Sequence, residues 1–341
     1  MRPDRQSYGV LRQHRPSRNE TKDAFMLPAA QTLDLPVPKP GRTWRIALAG
    51  YGVVGQALAR RLEREPGFEI AAILVRDPAR ERSVAPPCPV SSDRAAFLAT
   101  DADILVDVLS CDSTGEGLSI EWLATGRHVV SASKRVVARS HARLAALVAE
   151  SGGTLRYAAA VGGAAPVLET VASARAAGGI VEVTAVLNGT VNFVLDRLAQ
   201  GSDFETALAE ARAAGFAEED SSSDLEGHDA AAKLKLVAAE AFGDDPATVA
   251  VRTEALDPEF AARIKGTRWI QVSRLSRDGA EVALRPAANA GIPALPGEWN
   301  AARVTTRDGQ VFQCAGRGAG GAPTAEAIIG DLCRVRDAAR C

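Results

Sequence analysis

The sequence predicts an α/β protein in two parts, and three observations carry that prediction. A glycine turn, Gly50-Tyr51-Gly52-Val53-Val54-Gly55, sits between an apolar run and a stretch with helical spacing. Strand-like runs alternate with helical ones from about residue 44 to residue 160. Further strand-like runs at 180–187, 268–275 and 280–286 follow, with helical stretches at 189–200 and 204–214 between them. Alternating strands and helices imply right-handed crossovers and a parallel sheet. The later elements imply a second, α+β unit.

Each element follows from its residues. The run opening at Trp44 is short and largely apolar, as a buried parallel strand requires. GxGxxG between strand and helix is the context that gives the motif weight. Gly50 permits the tight turn, Gly52 lets the backbone approach a pyrophosphate, and Gly55 allows close helix–strand packing. Val54, Leu58 and Leu62 then recur at helical spacing. That helix's N-terminus would face the phosphates with free N–H groups, with Val53 and Val54 in the turn. The first part therefore reads as a Rossmann-type dinucleotide-binding domain over 41–157. Its further strands are expected at 69–75, 103–109, 128–133 and 154–160, with helices at 116–125 and 139–151. The second strand ends at Arg76-Asp77. An arginine there suits the 2′-phosphate of NADP, and an acid suits the 2′-hydroxyl of NAD. Arg76 comes first, with Arg80 and Arg82 behind it, so NADP is favoured, with NAD or a plain surface cluster as alternatives.

Composition excludes several classes. A chain of 341 residues with 46% hydrophobic and 24% charged residues has an ordinary globular balance. A net charge of −2 leaves no electrostatic footprint for nucleic acid or an anionic membrane. No apolar run approaches the roughly 20 residues of a membrane span. The five cysteines are odd in number and lack CxxC spacing, which suits reduced thiols in a cytoplasm. Four scattered histidines argue against a His-based metal centre. Residues 1–40, rich in arginine and proline, read as a disordered extension. Asp4, Glu20 and Asp23 argue against a transit peptide, and Met26 offers a second start.

The chemistry is expected in the second part. Gly215 to Lys233 gathers Glu218, Glu219, Asp220, Asp224, Glu226 and Asp229 just ahead of an apolar helix that Gly243 ends. Asp229 and Lys233, four apart, share a helix face. Spacing alone gives an exposed ion pair worth a few tenths of a kcal/mol. The crowding of acids gives a second reading, in which a substrate ammonium relieves their repulsion. Lys134 follows a strand at the sheet edge where open α/β folds bind ligands. A ligand with both an amine and a carbonyl would match such a set of acids and lysines.

At this point the chain resembles the homoserine dehydrogenase family, from about Arg45 to Asp331. Gly215–Lys233 matches its signature, with Phe216 for a tyrosine and Ser221 for a proline. LNGTVNFVL (187–195), SASKR (131–135) and GRGAGGAPTAEAIIGDL (316–332) resemble three further segments, in the same order. The resemblance implies NAD(P)-linked interconversion of L-homoserine and L-aspartate 4-semialdehyde, a branch step towards threonine and methionine. It implies Glu218, Asp224, Asp229 and Thr190 as substrate contacts and Lys233 as proton donor. Lys134 would stand beside the nicotinamide. Gly50, Gly52, Val53, Val54, Gly55, Arg76, Ser110, Gly215, Gly318 and Gly320 would hold the cofactor. A homodimer is implied, with the substrate site and dimer contact on a domain at 158–315, and with 316–341 returning to the first domain.

The chain also departs from the family. Ala158 replaces a glutamate that helps bind a monovalent cation with nearby carbonyls, which would be those of Val161, Gly163 and Ala165 here. Ser110-Cys111 replaces a Gly-Gly, and the thiol reads as a packed core cysteine, since no histidine accompanies it. Only ten residues follow Asp331, so a form without the ACT regulatory module is expected. Two alternatives stay open: a dehydrogenase acting on another amino or hydroxy acid, and a non-catalytic NAD(P)-binding protein.

Overall fold

The computed structural model describes residues 11–13, 42–217, 219–264, 266–295 and 297–339. A three-residue strand, β1 (Leu11–Gln13), comes first. The expectation of a disordered 1–40 tract otherwise falls outside the described residues. Then follow β2 (Trp44–Ala49), α1 (Val53–Leu62), β3 (Phe68–Leu74), β4 (Val90–Ser91), α2 (Arg94–Leu98) and β5 (Ile104–Asp107). Next are α3 (Asp112–Leu123), β6 (His128–Ser131), α4 (Lys134–Ser151) and β7 (Thr154–Arg156). The six strands β2 to β7 form a sheet in the order β4-β3-β2-β5-β6-β7 with every pairing parallel. Strand order reverses between β2 and β5, and open α/β sheets bind ligands beyond the strand ends at such a point.

Both faces of this sheet are covered, which is why its strands are nearly continuous apolar runs. Ile46, Leu48, Ile104 and Val106 pack with Leu58 of α1 on one face. Ala47, Ala49 and Leu105 pack with Leu118, Trp122 and Leu144 on the other. Truncating a fully buried leucine such as Leu48 to alanine would cost about 2–5 kcal/mol.

The second part comprises α5 (Val167–Gly178), β8 (Ile180–Val186), α6 (Gly189–Ala199), α7 (Phe204–Ala213), α8 (Ser222–Leu225), α9 (His228–Phe242) and β9 (Val251–Thr253). It continues with α10 (Pro258–Ile264), β10 (Trp269–Ser276), β11 (Gly279–Pro286), β12 (Trp299–Thr306), β13 (Val311–Arg317) and α11 (Gly321–Ala338). Its sheet runs β1-β13-β12-β8-β10-β11-β9, antiparallel except where β9 joins β11. Helices α5 and α9 bury Val171, Leu234, Val237 and Ala238 against Val183, Ala185, Leu275 and Ala302 of the strands.

Several boundaries differ from the sequence reading. The strand expected at 154–160 stops at Arg156, and Ala158–Ala160 form a 3-10 turn. The Ala158 N–H there donates to the Asp331 carboxylate at 2.9 Å instead of to a neighbouring strand. Helix α4 starts at Lys134, not 139, because Ser133 Oγ accepts the Val136 N–H at 3.4 Å and caps it. Helix α3 starts at Asp112, not 116. Helix α5 and strands β12 and β13 are among the elements that the sequence pattern does not announce, since small and polar residues interrupt their period.

The chain leaves the first sheet through residues 157–166 and returns through 316–321. These segments touch. Ala164 N–H donates to Arg317 O at 2.8 Å, and a β-carbon on Gly163 would lie 2.4 Å from Gly318 O. Helix α11 then packs Ala325, Ile328, Ile329 and Leu332 into the core that α1 shares.

Candidate active site

The glycine turn works through missing atoms. Gly50 has φ +105°, which L side chains rarely adopt, and a β-carbon on it would sit 2.9 Å from Val108 O. A β-carbon on Gly55 would lie 2.4 Å from Gly50 O, so only glycine lets α1 start this close to β2. Gly52 faces open space and caps α1 without a side chain. The first N–H groups of α1 are thus available to an anion. Val53 is 75% exposed here, and a β-carbon on Gly321 would come within 2.9 Å of its Cγ1. The return segment carrying Gly318 and Gly320 therefore borders the turn.

Arg76 and Arg80 are exposed beyond β3. Arg82 folds back on the loop, donating to Asp77 O at 2.7 Å and Pro78 O at 3.2 Å. Gln56 of α1 accepts from Ser83 Oγ and Val84 N–H, both at 2.9 Å, and so fastens this loop beside the turn.

Ser110 and Cys111 follow β5 and lead into α3, and both are exposed. The expectation of a packed cysteine is corrected. Cys111 is the N-cap of α3 in an extended conformation, which turns its side chain outward. Hydrogen bonds from Ser113 and Thr114 lower its pKa to about 7.

The acid and lysine cluster joins the two sheets. Asp229 lies in the first turn of α9, where the helix dipole favours an anion, and is 9% exposed. Its Oδ1 is 2.7 Å from Lys134 Nζ, at the start of α4 beside the parallel sheet. Its Oδ2 is 2.7 Å from Lys233 Nζ, one turn along α9. Lys233 also donates to Leu187 O at 2.8 Å. Two of its three ammonium hydrogens are thus used, which leaves one for an incoming oxygen. With side-chain exposures of 15% and 11%, Lys233 and Asp229 are no surface pair. Burial would raise the Asp229 pKa, but the charges of Lys233 and Lys134 overrule it and hold the carboxyl well below the usual range. Asp224 shifts upward, mainly from burial, with Asp229 adding to it while Asn188 and both lysines oppose.

Asn188 is a residue the motif reading did not single out. Its Oδ1 accepts the Val191 N–H at 2.9 Å and caps α6, which turns its Nδ2 towards the acids. That nitrogen donates to Asp224 Oδ1 at 2.7 Å and Asp229 Oδ2 at 3.2 Å. The available signal was its place as N-cap directly after a strand. Thr190 is buried, and its hydroxyl donates to Phe216 O at 2.5 Å, so it ties α6 to the acidic loop. Gly215 ends α7 with φ +77°. Glu218 lies outside the described residues, while Glu219, Asp220 and Glu226 are exposed.

At 158–165, Ala158 brings no carboxylate to the monovalent cation that the resemblance implies. Among the described residues no three His, Cys, Asp or Glu side chains converge as a metal site. Nor, among them, is any helix long and apolar enough to cross a membrane.

Comparison with known proteins agrees with this arrangement. The family profile described as homoserine dehydrogenase matches residues 166–333, and that described as homoserine dehydrogenase, NAD binding domain, matches 50–158. The chain is 32% identical over 320 residues to a homoserine dehydrogenase of Corynebacterium glutamicum, covering 86% of this chain and 72% of that one. A Mycobacterium leprae homoserine dehydrogenase is 33% identical over 320 residues, covering 85% and 72%. The crystal structure of a homoserine dehydrogenase from Thiobacillus denitrificans superposes with TM-score 0.75 at 28% identity, covering 86% of this chain and 73% of that one. These matches span the glycine turn and both lysines, and the chain belongs to the homoserine dehydrogenase family of NAD(P)-dependent oxidoreductases.

Proposed function

We propose that this chain interconverts L-homoserine and L-aspartate 4-semialdehyde, with NADP favoured over NAD. The observation that carries the reading is one buried carboxylate, Asp229, bridging lysines from two helices, α4 beside the parallel sheet and α9 on the second sheet. Asp224 and Asp229, with Glu218 from the same loop, would receive the substrate ammonium. Lys233 would give its free ammonium hydrogen to the aldehyde oxygen, or take the alcohol proton in the reverse direction, while Leu187 O and Asp229 hold it in place. Lys134 would face the reacting carbon. Gly50, Gly52, Gly55, Ser110, Gly215, Gly318 and Gly320 would hold the cofactor, which when bound supplies or accepts the hydride. Exposed Arg76 and Arg80 support a 2′-phosphate contact. The reading includes three segments: 41–157 for the cofactor, 158–315 for substrate and dimer contact, and 316–341 returning to the first. It also includes a homodimer in a cytoplasm, the latter supported by free Cys88, Cys111, Cys314 and Cys333.

Steady-state assay of the purified protein with L-homoserine and each oxidised cofactor tests this. Turnover with a higher kcat/KM for NADP is expected. No turnover with homoserine, alongside turnover of an amino or hydroxy acid analogue, would favour the second reading, which Ser110-Cys111 beside the cofactor motivates.

A further inference from the structure

Asp107 closes β5 at the ligand-binding edge of the parallel sheet and is fully buried, yet nothing above gives it a task. Its Oδ1 accepts the Leu109 N–H at 3.1 Å, and its Oδ2 accepts the Ser131 hydroxyl at 3.0 Å. Ser131 Oγ in turn accepts the Ser133 N–H at 3.1 Å. Ser133 then caps α4, whose first residue is Lys134. The main chain of Asp107 grips the same segment, since its carbonyl accepts the Ala132 N–H at 2.9 Å. Two independent links therefore run from one residue to the three that precede Lys134.

A carboxylate has a reason to be here. It accepts and cannot donate, so it fixes Ser131 as a one-way donor and leaves the serine oxygen free to receive the Ser133 N–H. Hydrogen bonds to a charged acceptor are also stronger than neutral ones. Burial pushes the Asp107 pKa up to about 6, while the bonds from Leu109 and Ser131 favour its charged form. The α3 helix packs close, since a β-carbon on Gly115 would lie 2.8 Å from Asp107 Oδ2. A buried charge is costly to keep, and positional specificity is one use for such a group.

We propose that Asp107 is the positioning residue for Lys134, acting through Ser131 and Ser133 to hold its ammonium against Asp229. This rests on the role given to Lys134 above. Asp107→Asn keeps the side-chain shape but removes the one-way acceptor, and Ser131→Ala breaks the next link with a smaller change. Each should lower kcat about tenfold, with KM for the cofactor and the melting temperature close to wild type. Ser131→Thr, which keeps the hydroxyl, should restore most of the rate. In a Lys134→Ala background, Asp107→Asn and Ser131→Ala should change kcat less than twofold, because the group they aim is gone. Wild-type kcat in both single variants would overturn the proposal, as would an equal tenfold loss with Lys134 absent. Should Asp107→Asn fail to fold, the Ser131 series decides. Full activity in Lys134→Ala alone would sink the parent assignment instead, so the two failures are told apart.

Discussion

The turn at Gly50–Gly55 works through what its residues lack, while the cluster around Asp229 works through what its side chains carry. In the turn, two absent β-carbons let α1 approach β2 and leave backbone N–H groups open. In the cluster, five places in the chain bring six polar groups together: Lys134 of α4, the α6 cap Asn188, Asp224 of α8, Asp229 and Lys233 of α9, and the Leu187 carbonyl after β8. The first device is local in sequence and tolerates no added atoms at Gly50 or Gly55. The second is assembled over long range and tolerates no lost charge. The two regions should therefore fail differently when altered.

Lys233→Ala gives the largest expected effect. Loss of a general acid costs about 10²–10⁴ in rate, so kcat should fall within that range while cofactor affinity holds. Single-turnover kinetics with titration of NADPH fluorescence would check both, and near-normal turnover would break the contrast. Asp229→Asn comes next, because it leaves two lysines around a neutral amide. A drop of about 3 kcal/mol in stability is expected for breaking a buried pair, together with a raised KM for homoserine. The pH sign follows from the lowered carboxyl. Its stabilisation is whole above the ordinary carboxylate pKa of about 3.9 and drains as acid protonates it. Melting scans between neutral and acid pH should thus show the gap between wild type and variant narrowing on acidification.

Gly55→Ala tests the other region. A methyl 2.4 Å from Gly50 O must displace the backbone, and overpacking of this kind costs about 1–3 kcal/mol. The cofactor Kd should rise by about tenfold or more, with the semialdehyde site unchanged once cofactor saturates. The smallest effect sharpens the border between the regions. Cys111 has a pKa lowered to about 7, so iodoacetamide labelling should climb as pH rises through that value. Saturating NADP should slow it, as mass spectrometry of the 111-containing peptide would read.

Legibility followed the same division. The glycine turn, the parallel sheet and the pairing of Asp229 with Lys233 rest on spacings within a few residues, and those a sequence displays. The contact of Lys134 with Asp229 spans 95 residues and two sheets, so no local period announces it. Asn188 was hidden because a helix N-cap and an acid bridge call for the same residue type. The lack of a histidine beside Cys111 speaks to reactivity and not to burial, whereas its cap position sets its direction. Strands β12 and β13 alternate small, polar and charged residues, a weak pattern until neighbouring strands supply the partners.

The outgoing and returning crossings between the two sheets lie side by side, bonded from Ala164 to Arg317 and with Gly163 against Gly318. The halves are also fastened at a second place, where Val137 of α4 packs into the core that holds Ala230 and Leu234 of α9. Any added bulk at Gly163 would push one crossing off the other, and the strain would reach both halves at once.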